Sequence, residues 1–176
     1  MFGAATVAAT QLYEPQFLQP QEAYTNFGTQ TCQFIYDNSW YQMIDTSTLG
    51  SVTVFNSTDL ITPTTEAYFT YCQDIPAAFT CTGSYFASIN VNGVCELNSN
   101  SVVAGSLDVN GVSTFAMVYQ GASGSAVTSL TVGQVCDESA SGVTTSSLTS
   151  SPDGTSYSTY QSSSVACPVF TYNALI

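Results

Sequence analysis

The sequence has no lysine, no arginine and no histidine in 176 residues. An ordinary chain of this length carries on the order of 20 Lys and Arg. The 12 Asp and Glu, which give a formal net charge of −12, therefore have no side-chain cation to pair with. They are scattered along the chain, so their mutual repulsion is screened beyond about 10 Å in ordinary salt. The same absence excludes whole classes of function. Binding a nucleic-acid backbone needs cations, and so does holding an anionic membrane surface. No Lys is present for Schiff-base chemistry and no His for general-base work.

Other absences narrow the reading further. There is no CxxC pair, which with the missing His argues against zinc and redox motifs. Asp37, Asp45, Asp59 and Asp74 are hard oxygen donors, but no DxDxDG-like loop gathers them, so they read as solvated acids and no metal site is expected. The longest apolar runs, such as Val165 to Phe170, fall far short of the roughly 18 residues of a membrane span. Met1 to Thr10 is small and apolar but has no basic region ahead of it, so it is a poor signal peptide; it reads as a mature start or as an arm. The one adjacent acidic pair is Asp137-Glu138, whose side chains would point to opposite faces of a continuing strand. A glycosidase needs two carboxylates about 5–9 Å apart across a cleft. No enzyme activity and no cofactor are expected.

What is present points to a secreted protein. Six cysteines, an even number at wide spacings, suggest three disulfides, for which spacing alone leaves fifteen pairings open. Disulfides belong to oxidising compartments. Asn56-Ser57-Thr58 is an N-glycosylation sequon. The Ser/Thr-rich stretches Ser141 to Ser151 and Ser162 to Ser164 suit O-glycans or plain polar loops equally well. A hydrophobic fraction of 44% is enough for the core of one domain. The 11 Tyr and 10 Phe should serve mostly as core residues and cross-strand pairs.

Residues 1–31 hold no Cys and contain Pro15, Pro20 and the small-residue run Gly3 to Thr10. They read as an extended arm, with a weak helix over Gln16 to Ala23 interrupted by Pro20. Residues 32–176 read as the β domain. Ser51 to Phe55 alternates, and Ala67 to Cys72 is rich in aromatics. Tyr85 to Val91 leads into Asn92-Gly93 and Val94 to Leu97, and Leu107 to Val109 leads into Asn110-Gly111 and Val112 to Tyr119; both are two-residue hairpin signals. Ser129 to Cys136 alternates as a strand, with Leu130, Val132 and Gln134 on one face. Thr155 to Tyr160 and Val165 to Tyr172 close the domain. Many short, turn-punctuated strands predict an all-β fold, a flattened barrel or β-sandwich of short antiparallel strands stapled by three disulfides, with an extended N-terminal arm.

The cysteine frame and its neighbours resemble the mannose-6-phosphate receptor homology (MRH) family over about residues 32–170. Cys32 is followed by Tyr36-Asp37-Asn38-Ser39, similar to an early Tyr-Asp segment of that family. Tyr68-Phe69-Thr70-Tyr71-Cys72 looks like its aromatic strand ending in the second cysteine, Cys81 and Cys95 bracket a short segment, and Val135-Cys136-Asp137 ends a strand. Tyr157 followed by Val165-Ala166-Cys167-Pro168 is the most specific element. The resemblance implies the pairs Cys32–Cys72, Cys81–Cys95 and Cys136–Cys167. A fourth pair common in the family would fall near Ser123 to Ser125 and at Thr155, where both cysteines are lost together. Of the family's four sugar-binding positions only the Tyr is kept, at Tyr157. The Arg falls at Thr128, the Gln near Val94, Glu96 and Leu97, and the Glu has only Asp153 in its loop. Losing a charged donor to a sugar hydroxyl costs about 1.5–3 kcal/mol, so ordinary mannose recognition is expected to be gone.

Three functions compete at this point. The first is a secreted structural glycoprotein that self-assembles as a homo-oligomer or filament (fibre, coat or matrix). The arm without its own core, the absent ligand residues and the lack of any trypsin site motivate it, and an apolar arm suits strand addition to a neighbour's sheet. The second is a lumenal or extracellular glycan- or cargo-binding module with Tyr157 as ligand contact. The third and most remote is a carbohydrate-active enzyme. All three expect covalent glycans, and neither a nucleic-acid nor a membrane partner.

Overall fold

A computed structural model of the chain describes residues 24–25, 31–37, 39–44, 52–76, 81–83, 85–168 and 170–171. Most of the expected arm, residues 1–23 and 26–30, and with it the helix anticipated over Gln16 to Ala23, lies outside the described residues. So does Asp45.

The fold is all-β, and its strands form three sheets that pack as a sandwich without closing into a barrel. The first sheet contains β8 (Ser101–Val109), β9 (Val112–Gln120), β10 (Ser129–Cys136), β11 (Thr144–Thr145), β12 (Thr149–Ser150) and β13 (Ser156–Ser163). Its order is β11-β13-β10-β9-β8, with β12 also paired to β13. The second sheet is β1 (Tyr24–Thr25), β2 (Thr31–Tyr36), β3 (Ser39–Ile44) and β14 (Phe170–Thr171), in that order. The third is β4 (Phe55–Thr58), β5 (Thr65–Phe69), β6 (Ala87–Val91) and β7 (Val94–Ser99), again in sequence order. A 3-10 turn, Ser164–Ala166, follows β13.

The hairpins form where the turn residues demand them. Asn92 and Gly93 have φ of 53° and 80°, and Asn110 and Gly111 have φ of 54° and 82°. Those left-handed values match the twist of the flanking strands, and Asn-Gly tolerates them best. Asp37, at φ 51°, opens a third tight hairpin that joins β2 to β3 in the Tyr36↔Ser39 register. The segment read as an MRH-like Tyr-Asp motif is thus a turn.

Three features differ from the sequence reading, the first being that Val165 and Ala166, read with the closing β segment, lie in the 3-10 turn. Residues 52–54 are not in a strand; β4 starts at Phe55 and runs through the sequon. In addition, the sheets are not wholly antiparallel, because β10 and β13 pair in parallel from Ser129↔Ser156 to Cys136↔Ser163. The long connection between them, carrying β11 and β12 back onto β13, makes that crossover feasible.

One core joins the three sheets. Ala67, Phe69, Ile89 and Leu97 of the third sheet are buried with Val102, Ala104, Met117, Tyr119, Leu130 and Val132 of the first. Phe34 and Met43 of the second join the same cluster. Leu130, Val132 and Gln134, which share one face of the expected strand, are all buried. Gly133 between them is buried too, because a Cβ there would meet Leu107 Cδ2 at 3.0 Å and Val109 Cγ2 at 3.3 Å. The far half of the β8–β9 hairpin leans over this glycine.

The interior is polar where β13 enters it. Gln161 Oε1 accepts from Tyr71 Oη at 3.0 Å and from Gln134 Nε2 at 3.1 Å, and Gln161 Nε2 donates to Thr145 Oγ1 at 3.2 Å. A network of this kind favours one pairing of strands over its alternatives, although Gln134 Oε1 is left without a hydrogen-bond partner among the described residues. Nearby, fully buried Tyr119 donates its hydroxyl to Thr70 O at 2.6 Å. Burial, with Tyr71 adding to it, raises the Tyr119 pKa well above the ordinary tyrosine value.

This phenol predicts a pH profile. Its pKa is higher folded than unfolded, so its contribution to stability is complete below about pH 10 and is lost as pH climbs above that. The melting temperature should be level from about pH 6 to 9, since the chain has no His to titrate there, and should fall above about pH 10. Tyr119→Phe should cost about 1–3 kcal/mol at neutral pH through the carbonyl left unpaired and should make the alkaline fall shallower. Equal alkaline slopes in the two proteins would refute the assignment.

Three disulfides close the fold: Cys32–Cys72, Cys81–Cys95 and Cys136–Cys167, with Cα–Cα distances of 5.6, 5.5 and 4.4 Å. They are the pairs the MRH resemblance implies. The first ties β2 to the corner after β5, the second spans from the loop before β6 to β7, and the third joins the end of β10 to the turn after β13.

Candidate functional site

Tyr157, the position that the MRH resemblance matches to a sugar-binding Tyr of that family, stands near the start of β13 opposite Leu130 and Ser150. Its ring is half-buried and packs on the main core. Partial burial raises its pKa, and the carboxylates of Asp59 and Glu96 add to the rise. Strands far apart in sequence thus bring two acids towards this phenol. Glu96 is among the residues expected near the lost Gln. Asp59 was not expected there; only the structure, which pairs it with Leu148 in an isolated parallel bridge, shows the approach.

The other expected positions are occupied with structural work. Thr128 donates its N–H and its hydroxyl to Thr155 O, at 2.7 and 3.1 Å. Asp153 accepts from the hydroxyls of Ser151 (2.7 Å) and Thr155 (2.8 Å), and those bonds hold its carboxyl below the usual carboxylate range. It organises the turn before β13 rather than facing Tyr157.

The same solution recurs at several other acids. Asp137 accepts from the Ser139 hydroxyl at 2.6 Å and its N–H at 3.0 Å, and its pKa is lowered by them. Asp59 Oδ1 takes the N–H of Ile61 at 2.9 Å, Asp108 Oδ1 that of Gly111 at 2.7 Å, and Glu66 Oε2 the hydroxyl of Tyr68 at 2.8 Å. With no cation in the chain, carboxylates find their partners among hydroxyls and turn amides. A glycosidase acid must be held protonated, whereas Asp137 is held ionised. Cys136, Glu138 and Cys167 lie close together, but both sulfurs are in a disulfide and are not thiolate ligands.

Two open grooves lie on the first sheet. One, about 330 Å³, runs between Leu107–Asn110 and Ser146, Thr149 and Tyr160. The other, about 430 Å³, lies over residues 137–144. Both are lined by hydroxyls and carboxylates, and neither includes Tyr157.

The sequon asparagine is accessible. Asn56 is exposed on β4, paired opposite Tyr68, and its side chain hydrogen-bonds to that phenol. Ser57 of the sequon turns inward instead, donating to Ser146 O at 2.7 Å and Thr159 Oγ1 at 3.2 Å.

The feature with the greatest capacity for interaction is the set of sheet edges. An unpaired strand edge is a row of free N–H and C=O groups. The outer side of β4 is held by its own chain, through Leu148 N–H to Thr58 O at 3.0 Å and the Asp59–Leu148 bridge. The outer side of β7 is shielded by residues 81–83, which the Cys81–Cys95 bond and an Asn98 Nδ2 to Thr82 O bond of 3.0 Å hold in place. The end strands β1, β11, β12 and β14 are two residues each. The exception is β8. It has nine residues, ends its sheet, and pairs only with β9 among the described residues. It contains no Pro and a single charge, Asp108. The usual devices that blunt an edge, Lys and Pro, are missing from it.

No family sequence model matches the chain, and no curated protein matches it significantly.

Proposed function

We propose that this chain is a secreted, glycosylated structural subunit that assembles with copies of itself through its β domain and N-terminal segment. The observation that carries the reading is the nine-residue edge of β8, unpaired on its outer side among the described residues. Three disulfides suit an oxidising compartment, and no helix among the described residues is long and apolar enough to cross a membrane. Exposed Asn56 beside the Tyr68 ring offers a glycan an aromatic face to lie against. The MRH-like sequence features supply the scaffold in this reading and not a lectin. Recognition of a sugar at Tyr157 has less support, because its ring is half-buried against the core and the positions matched to the family's Arg and Glu, Thr128 and Asp153, are engaged in hydrogen bonds of the neighbouring turn.

Assembly is tested on the purified full chain by light scattering and negative-stain microscopy across a range of concentrations. Oligomers or filaments that grow with concentration are the expected result. A chain that remains a single species of monomer mass at every concentration overturns the proposal.

A further inference from the structure

The geometry of β8 points to a specific occupant, and we propose that its outer edge accepts the segment Gly3 to Gln11 of a second copy as an added strand. This rests on the self-assembly reading and extends it by naming donor and acceptor.

The acceptor groups follow from the hairpin. Val109 and Val112 flank the two-residue Asn110-Gly111 turn, so they are a hydrogen-bonded pair, and such pairs alternate along an antiparallel ladder. Leu107, Gly105, Val103 and Ser101 therefore direct their peptide groups to β9. The N–H and C=O of Val102, Ala104, Ser106 and Asp108 point away from it, towards whatever lies beyond the sheet. Val102 and Ala104 anchor the strand in the core, so the edge is presented by a fixed element.

The donor follows by elimination. A strand laid along β8 must be about nine residues long to use the whole edge. It must carry no Pro, which lacks the N–H, and in a chain of net charge −12 an uncharged strand adds no repulsion. Of the segments outside the described residues, only 1–13 supplies nine consecutive residues with neither an acid nor a proline; Glu14 and Pro15 end it. Within it Gly3 to Gln11 is small and apolar, with Thr6, Val7 and Thr10 favouring extended backbone. A segment donated from one copy to the next is a head-to-tail contact, and such contacts repeat into a filament unless the rotation closes a ring.

Two substitutions in the full chain separate donor from acceptor. Ser106→Pro removes an outward N–H that β9 does not use. Val7→Pro breaks the segment and leaves every residue of the β domain unchanged in sequence, so it stays informative if Ser106→Pro fails to fold. Each variant alone is expected to weaken assembly by about tenfold or more and to run as a single chain at micromolar concentration. Mixed, they should form a one-to-one dimer and stop there, since one retains the donor and the other the acceptor. Wild-type assembly with both variants unaffected would overturn this assignment and leave self-assembly standing. A monomeric wild type whose Ala104 and Ser106 amides resist hydrogen exchange would show the segment docked on its own edge, which also overturns it. A monomer in which those amides exchange freely sinks both proposals.

Discussion

Replacing Cys32 and Cys72 together with alanine is expected to lower the unfolding free energy by about 4 kcal/mol, the largest effect of any single disulfide here. The bond closes 40 residues, against 31 for Cys136–Cys167 and 14 for Cys81–Cys95. The entropy removed from the unfolded chain grows with loop length, so the shortest loop should contribute about 3 kcal/mol. The tertiary argument runs the same way. Cys32 is in β2 of the second sheet, and Cys72 is in the corner that follows β5 of the third, so this bond alone ties those two sheets covalently. The corner is held by other means as well: Thr70 N–H reaches Phe86 O at 2.9 Å, and Tyr119 donates to Thr70 O. Cys72 itself has φ 55°, a conformation costing about 1 kcal/mol for a non-glycine residue, and its partial relief should offset a little of the loss. Urea titration of the double variant beside wild type checks the value. A loss under about 1 kcal/mol would show that the corner and the second sheet are held by packing alone.

How much of this fold was readable in advance depends on whether the signal was local. The two Asn-Gly hairpins were, because positive φ at both turn positions leaves few residue choices. So was β10, whose buried Leu130, Val132 and Gln134 alternate with Thr131 and Val135. The third hairpin was missed although Asp37-Asn38 is a turn dipeptide of the same kind; its resemblance to a family motif drew the reading elsewhere. The start of β4 was misplaced because Val52 to Val54 look more strand-like than Asn56 to Thr58. The polar triplet is the true strand, since Ser57 finds Ser146 and Thr159 inside. The parallel partnership of β10 with β13 leaves almost no local trace. β13 reads Ser-Tyr-Ser-Thr-Tyr-Gln-Ser-Ser, and its buried members Thr159, Gln161 and Ser163 look like surface residues until Tyr71 and Gln134 are placed opposite.

The candidate sites divide in the same manner. Asn56 was legible because a sequon is three consecutive residues. Tyr157 was placed by resemblance, and so was Glu96 of β7, but Asp59, which lies just past β4 in an isolated bridge to Leu148, left no sequence signal. The open edge of β8 was invisible for a different reason. Whether a strand is central or terminal is decided by what pairs with its far side, and in this chain the long crossover sends β13 to the other end of the sheet. With no lysine available, the other edges are protected by disulfides, tethered loops and short length, and among the described residues β8 has none of the three.

Phe115→Ala is expected to cost about 3–5 kcal/mol and to loosen one sheet before the others. Phe115 projects from β9 and is 4% exposed. Its ring stacks on Tyr41 of β3 at 4.1 Å between centroids and 16° between planes, and it meets Phe34 and Tyr36 of β2 at 5.6 and 6.0 Å. Phe115 is thus a contact of the first sheet shared by both long strands of the second, and removing it leaves three aromatic rings facing a void. Aromatic pairs add about 0.5–1.5 kcal/mol beyond their buried area, which places the expected loss in the upper half of the range. The third sheet packs on the first through other residues, Phe69 on Tyr119 among them, so the damage should be local. Hydrogen exchange in Phe115→Ala should quicken at the amides of β2 and β3 while those of β9 and β10 keep most of their protection. Cys32–Cys72 still tethers β2, so the sheet should loosen without leaving. Phe115→Leu, which refills most of the void, should cost under about 1.5 kcal/mol. A uniform loss of protection over all three sheets would mean that the second sheet is no separate unit and that Phe115 is an ordinary member of one indivisible core.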